Sequence, residues 1–140
     1  MANSYDQFMN KPLRLKTRIE HKADEVAFLF EVCTKATGSW GEKVQTSPTN
    51  RSERNKDKYI DESNKLLKMI DEYEASKDEV ITFLYDNLKF EDADLLEWKY
   101  INGKTLTEIA KIKGIAYQTA KNRSWRAERD LRIKFGTKKY

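Results

Sequence analysis

Tyr117, Gln118, Lys121 and Asn122 recur one helical turn apart, with Thr119, Arg123, Trp125 and Arg126 interleaved. A primary amide can bond two edges of a base at once, and a cation on the same face can pair with a phosphate. The chemistry such a face suits is recognition of double-stranded DNA, with Lys104 just upstream as a further cation. Arg123, Arg126 and Lys104 are placed to meet phosphates. Gln118, Lys121 and Asn122 are placed to meet base edges.

Two short helical patterns lead to that face. Thr105-x-x-Glu108 is a capping box opening "LTEIAKIK", which Gly114 ends, and "AYQTAKNRSWRAERDLRIKF" follows as the last helix. Two helices joined by a tight glycine turn make a helix-turn-helix, whose second helix lies in the major groove. Ala110 is small where the helices cross, and Gly114 supplies the positive φ that the turn needs. Leu106, Ile109 and Ile115 are expected to pack on Leu95, Leu96 and Trp98 of a preceding helix, "DADLLEWKYI", closed by Asn102 and Gly103. Ala120, Ser124, Ala127 and Leu131 form the inner face of the last helix. Trp98 and Tyr100 read as core. Trp125 shares the face of Gln118 and Lys121; packing on the N-terminal half is the preferred reading, a sugar-phosphate contact the alternative.

Charge separates the chain in the same place. Residues 1–98 carry 15 Lys and Arg against 20 Asp and Glu, a balance of −5; residues 99–140 carry 12 against 3, a balance of +9, giving the net +4. A basic module on an acidic remainder points to a polyanionic partner for the module.

The remainder is helical by its periodicity. From about Pro12 to Lys35, Leu15, Ile19, Ala23, Val26, Phe30 and Cys33 form one stripe, its start set by Pro12 or by the Thr17-x-x-Glu20 capping box. Residues 37–55, with Gly38, Gly41 and Pro48, show no periodicity and read as a flexible loop of about 19 residues. From about Lys56 to Leu88, Tyr59, Ser63, Leu66, Ile70, Tyr73, Lys77, Val80 and Leu84 alternate in steps of four and three, a heptad seam roughly 50 Å long. Ser76-x-x-Glu79 offers a second helix start and a break near Ala75. The two helices are expected to fold into an antiparallel hairpin. Tyr59, Leu66, Ile70, Tyr73, Val80 and Leu84 are then the dimer seam, placing two recognition helices about 34 Å apart. The expected fold is all-α: a helical hairpin over 1–90 and a three-helix module over 91–140.

Residues 95–132 resemble region 4 of bacterial sigma factors, in which an "(R/K)Y-x-x-G-x-(S/T)-x-x-E-I-A" run precedes "T-V-K-x-R-x-x-R-A-x-x-x-L-R". Tyr100, Gly103, Thr105, Glu108, Ile109, Ala110, Thr119, Lys121, Arg123, Arg126, Ala127, Leu131 and Arg132 match. The whole arrangement is similar to small regulators of Gram-positive phages and prophages that act on late or autolysin genes. The resemblance implies a sequence-specific transcription regulator, an activator working with host RNA polymerase through the acidic hairpin or its loop. Ala116 departs from the usual capping Ser or Thr, Ala120 from Val and Ser124 from Leu. The segments by which complete sigma factors bind core polymerase or the −10 element are absent.

Two other readings use the same motifs. A small terminase subunit also joins a helix-turn-helix to a hairpin, but it usually places the module first and forms a ring. A sigma mimic that occupies polymerase would need no base-reading face. Enzymatic chemistry is not expected, because there is no glycine-rich phosphate loop, serine elbow or histidine beside a nucleophile. His21 and Cys33, twelve residues apart and without companions, argue against zinc. No cofactor is expected. A single cysteine, no apolar leader and no membrane-length apolar run lead to the expectation of a cytoplasmic protein of the bacterial host.

Overall fold

In the computed structural model, residues 4–39 and 48–138 are described, with side chains over 4–34 and 53–136. Five helices follow in order: α1 (Ser4–Ser39), α2 (Pro48–Asn87), α3 (Phe90–Tyr100), α4 (Leu106–Lys113) and α5 (Tyr117–Lys138). Among the described residues there is no strand, and no helix is long and apolar enough to cross a membrane. The all-α class is as the periodicity predicts.

Helix α1 starts eight residues before Pro12. Tyr5, Met9, Pro12 and Leu15 are all buried, so the apolar stripe begins with side chains that the sequence pattern had left out. Pro12 lies inside the helix, where it donates no backbone bond. Around it the Asn10 amide donates to the Asp6 carbonyl at 2.9 Å, and the Arg14 guanidinium to the Gln7 carbonyl at 3.2 Å.

The expected 37–55 loop is also corrected. Helix α1 continues to Ser39 and α2 begins at Pro48, leaving only 40–47, with Trp40, outside the described residues. Pro48 suits a first helical position, where a missing N–H costs nothing. A polar stretch without an apolar stripe can still extend a helix already nucleated downstream. Helix α2 runs through Ala75 unbroken, and Ser76 is buried in it instead of capping a new start.

The chain forms two compact units, Met1–Arg14 with Tyr73–Tyr140, and Leu15–Glu72. Within Leu15–Glu72 the helices are antiparallel: Lys22 meets Glu62 at 2.5 Å, while Phe30, later in α1, meets the earlier Tyr59 with ring centroids 5.7 Å apart. Glu62 also takes Lys65 at 3.0 Å. Its carboxyl is held below the usual range by Lys22 first and Lys65 second, and Lys22 is correspondingly raised by Glu62.

The dimer seam is the main correction. Val80 and Leu84 are fully buried in their own chain's core, which withdraws them from any partner. Tyr59 is engaged by Phe30, and Leu66, Ile70 and Tyr73 are half-buried. The heptad stripe of α2 is covered mostly within the chain. The large apolar side chains left in solvent on this unit are Phe28, Phe30, Ile60 and Leu67.

In the other unit Met9, Val80, Phe83 and Leu84 share one core with Leu95, Leu96, Ile109, Ala120 and Leu131. Packing therefore divides the chain differently from a cut at residue 90: the first turns of α1 and the last turns of α2 belong with α3, α4 and α5. Phe8, Phe83 and Phe135 form a mutual aromatic cluster: Phe8 meets Phe83 edge-to-face at 5.6 Å and Phe135 at a tilt at 5.4 Å, and Phe83 meets Phe135 edge-to-face at 6.0 Å. Tyr5 meets the edge of Phe135 at 5.8 Å. The last turns of α5 are thus held by the N-terminal turns of α1. Gly103, at φ +69°, sits where an added Cβ would touch Leu13 at 3.4 Å.

Candidate nucleic-acid interface

The turn before α5 is built as the capping signals predict. The Thr105 backbone N–H donates to Glu108 Oε1 at 2.9 Å, and the Glu108 N–H donates to Thr105 Oγ1 at 3.2 Å. The Thr105 N–H is the chief cause holding the Glu108 carboxyl below its ordinary range. Gly114 closes α4 at φ +66°, and the Ile115 N–H donates to the Ala110 carbonyl at 3.0 Å. Lys113 ties α4 to α3 through Asp94 at 2.6 Å. Ala110 is buried at the crossing, Ile109 is fully buried, and Leu106 and Ile115 pack half-buried on the same core as Leu95, Leu96 and Trp98.

Helix α5 buries Ala120, Ser124, Ala127 and Leu131, the inner face read from the sequence, together with Glu128 and Phe135. Gln118, Lys121, Asn122 and Arg126 are exposed, and Tyr117 is also largely in solvent. Thr119 is half-buried. Arg123 is half-buried as well, and stands about 100° round the helix from Asn122. It lines a shallow groove with Glu91, Asp94, Trp98, Lys113 and Ile115, so it lies on a different arc from the amides. Lys104 is half-buried on the α3–α4 turn, its N–H donating to the Trp98 carbonyl at 3.0 Å. Among the described residues Lys104, Lys121, Arg123 and Arg126 form no ion pair. Lys104 acts on the Glu108 carboxyl and Arg123 shares its groove with Glu91 and Asp94, while Lys121 and Arg126 stand exposed to meet an external anion.

Two features escaped the sequence pattern. Glu128 is buried and gathers four donors: Tyr100 Oη at 2.5 Å, Lys99 Nζ at 2.6 Å, Ser124 Oγ at 3.3 Å and, at the limit of bonding, Tyr5 Oη at 3.5 Å. Burial is the main reason that both tyrosine hydroxyls are pushed well above their usual range, and the Glu128 charge adds to it. Beside this cluster Arg132 lies over the Tyr5 ring at 5.0 Å and reaches Asp6 at 3.4 Å. The signal was a lone acid on the inner arc of a basic helix, one turn after Ser124. Ser124 thus serves where a leucine was expected: it donates to the buried carboxylate.

Trp125 is the second. It does not pack on the N-terminal half; 64% of it is exposed, on the arc of Gln118 and Asn122, with the Arg129 guanidinium 5.2 Å from the ring centroid. The inner arc is already filled by Ala120, Ser124, Ala127, Glu128, Leu131 and Phe135, and Trp125 stands on the exposed side of the helix.

Comparison of the chain with protein-family models, with curated proteins and with solved structures finds no match.

Proposed function

We propose that the protein is a sequence-specific DNA-binding transcription regulator that inserts the first turns of α5 into the major groove. One observation carries this reading. Directly after a capped, glycine-closed turn, α5 presents Gln118, Lys121, Asn122 and Arg126 together in solvent, with both cations uncommitted within the chain. Buried amides and paired cations would read nothing. This face can pair with base edges and phosphates at once.

The resemblance to sigma region 4 supports an activator that acts with RNA polymerase at phage or prophage late promoters. A two-fold operator calls for a homodimer, and among the described residues of Leu15–Glu72 the exposed Phe28, Phe30, Ile60 and Leu67 offer apolar surface for it. In sedimentation, Leu67→Asp is expected to dissociate the dimer. A wild-type chain that stays monomeric while binding a two-fold operator tightly would refute the pairing.

The decisive experiment is selection of duplexes from a random pool, then titration of variants against the selected and scrambled sequences at several salt concentrations. Gln118→Ala and Asn122→Ala are expected to lose about 1–3 kcal/mol of discrimination at single positions, with little change in salt slope. Arg126→Ala is expected to weaken all sequences alike and flatten the slope by about one unit. Intact discrimination in both amide variants would show that another surface reads DNA.

A further inference from the structure

Trp125 has no part in the core and none in the contact set above, yet it is the largest side chain on the recognition arc. Gln118, Lys121, Asn122 and Trp125 stand at i, i+3, i+4 and i+7, within about 100° of helix circumference. A helix that offers the first three to a groove offers the fourth in the same register, about 10 Å along its axis. That distance is the span of about three base pairs.

The ring's neighbours narrow what it meets. Arg126 follows it and Arg129 lies against it; of the two acids on this stretch, Glu128 is buried on the inner arc and Asp130 lies 3.6 Å from the Arg129 Nε. The surroundings are cationic, which suits a polyanion. The indole itself is apolar over most of its surface. In the major groove one base alone offers an apolar group, the C5-methyl of thymine.

Resting on the DNA-binding reading, we infer that Trp125 is a base-reading residue whose indole seats a thymine methyl, with Arg129 holding the ring and facing the adjacent phosphate. The contact extends recognition beyond the positions served by Gln118 and Asn122.

The test uses the full chain and the duplex selected from a random pool. Each thymine is replaced in turn by deoxyuridine, which removes the methyl and keeps every hydrogen-bonding group. At one position the wild type is expected to bind about four-fold more weakly, the worth of one buried methyl. Trp125→Ala is expected to bind the thymine duplex about ten-fold more weakly and to be indifferent to the same replacement. Trp125→Phe is expected to recover part of both effects. Melting of Trp125→Ala should match the wild type, because the side chain is in solvent.

A lowered melting point, wild-type operator affinity in Trp125→Ala, or an equal loss on operator and scrambled DNA each overturns the inference. The last outcome would assign the ring to the sugar-phosphate. Gln118→Ala and Asn122→Ala are titrated in parallel. If they lose discrimination while Trp125→Ala does not, only this inference fails. If no variant changes discrimination, or no duplex is selected, the recognition-helix reading fails with it.

Discussion

Replacing Glu128 with Leu removes the one acceptor that the buried hydroxyls of Tyr100 and Ser124 share, without opening a large cavity. Tyr100 is 6% exposed and Ser124 4%, so neither finds water in exchange. Each buried donor left without a partner costs about 1–3 kcal/mol. Lys99 has a third of its side chain in solvent and can turn outward, so its lost ion pair adds little. The Tyr5 hydroxyl, at 3.5 Å, adds less than a full bond. The expected loss is therefore about 4 kcal/mol, a lowering of Tm by about 15 °C or more for a unit of this size. Urea unfolding followed by far-UV circular dichroism measures it. Adding Tyr100→Phe and Ser124→Ala to Glu128→Leu removes the stranded donors, and the triple variant is expected to regain at least about half of the loss. A Glu128→Leu protein within about 0.5 kcal/mol of wild type would refute the reasoning, as would a triple variant no more stable than the single one.

Three further outcomes follow from the same geometry. Gly114→Ala is expected to cost about 1–2 kcal/mol from the left-handed backbone alone, since a Cβ there meets nothing within 4 Å; equal urea midpoints would contradict this. Glu62 and Glu108 have folded pKa values below their unfolded ones, so their stabilisation is complete above the unfolded value, about pH 4.3, and is lost as pH falls through the folded values. The urea midpoint should stay level for these two groups from pH 7 to about 5 and fall below that, less steeply in a Glu62→Gln/Glu108→Gln variant. A fragment of residues 91–140 lacks Met9, Val80, Phe83 and Leu84, and is expected to show no cooperative melting, whereas the full chain does.

The C-terminal module was legible because its instructions are local. Thr105, Glu108 and Gly114 act on their own backbone within four residues, and the structure places α4 on the residues that the capping box and glycine had marked. The inner face of α5 was legible too, as a short helix needs one apolar stripe and Ala120, Ala127 and Leu131 supply it. What depended on distant partners was not. Val80 and Leu84 fit a heptad, and a heptad does not say whether its cover is α1 or another copy. Tyr5 and Met9 lie before a proline that reads as a start signal, so the first two turns of α1 went unseen. Glu128 needs Tyr100 and Tyr5 to make sense of it, and neither is near it in sequence. Trp125 was read by its apolar character, when the space beneath α5 had already been filled.

The contacts around Glu128 and Arg132 join residues 123 and 126 positions apart. Closing so long a loop must precede any reward from the contacts that seal it. During synthesis the first turns of α1 leave the ribosome long before α5 exists, and their apolar side chains wait without a complement while the intervening hairpin is made. Helix α5 therefore gains its contacts with Tyr5 and Asp6 only after its own residues have been made. A chain interrupted before α5 leaves Tyr5, Met9 and the last turns of α2 without the side chains of Ala120, Leu131 and Phe135 that complete their core.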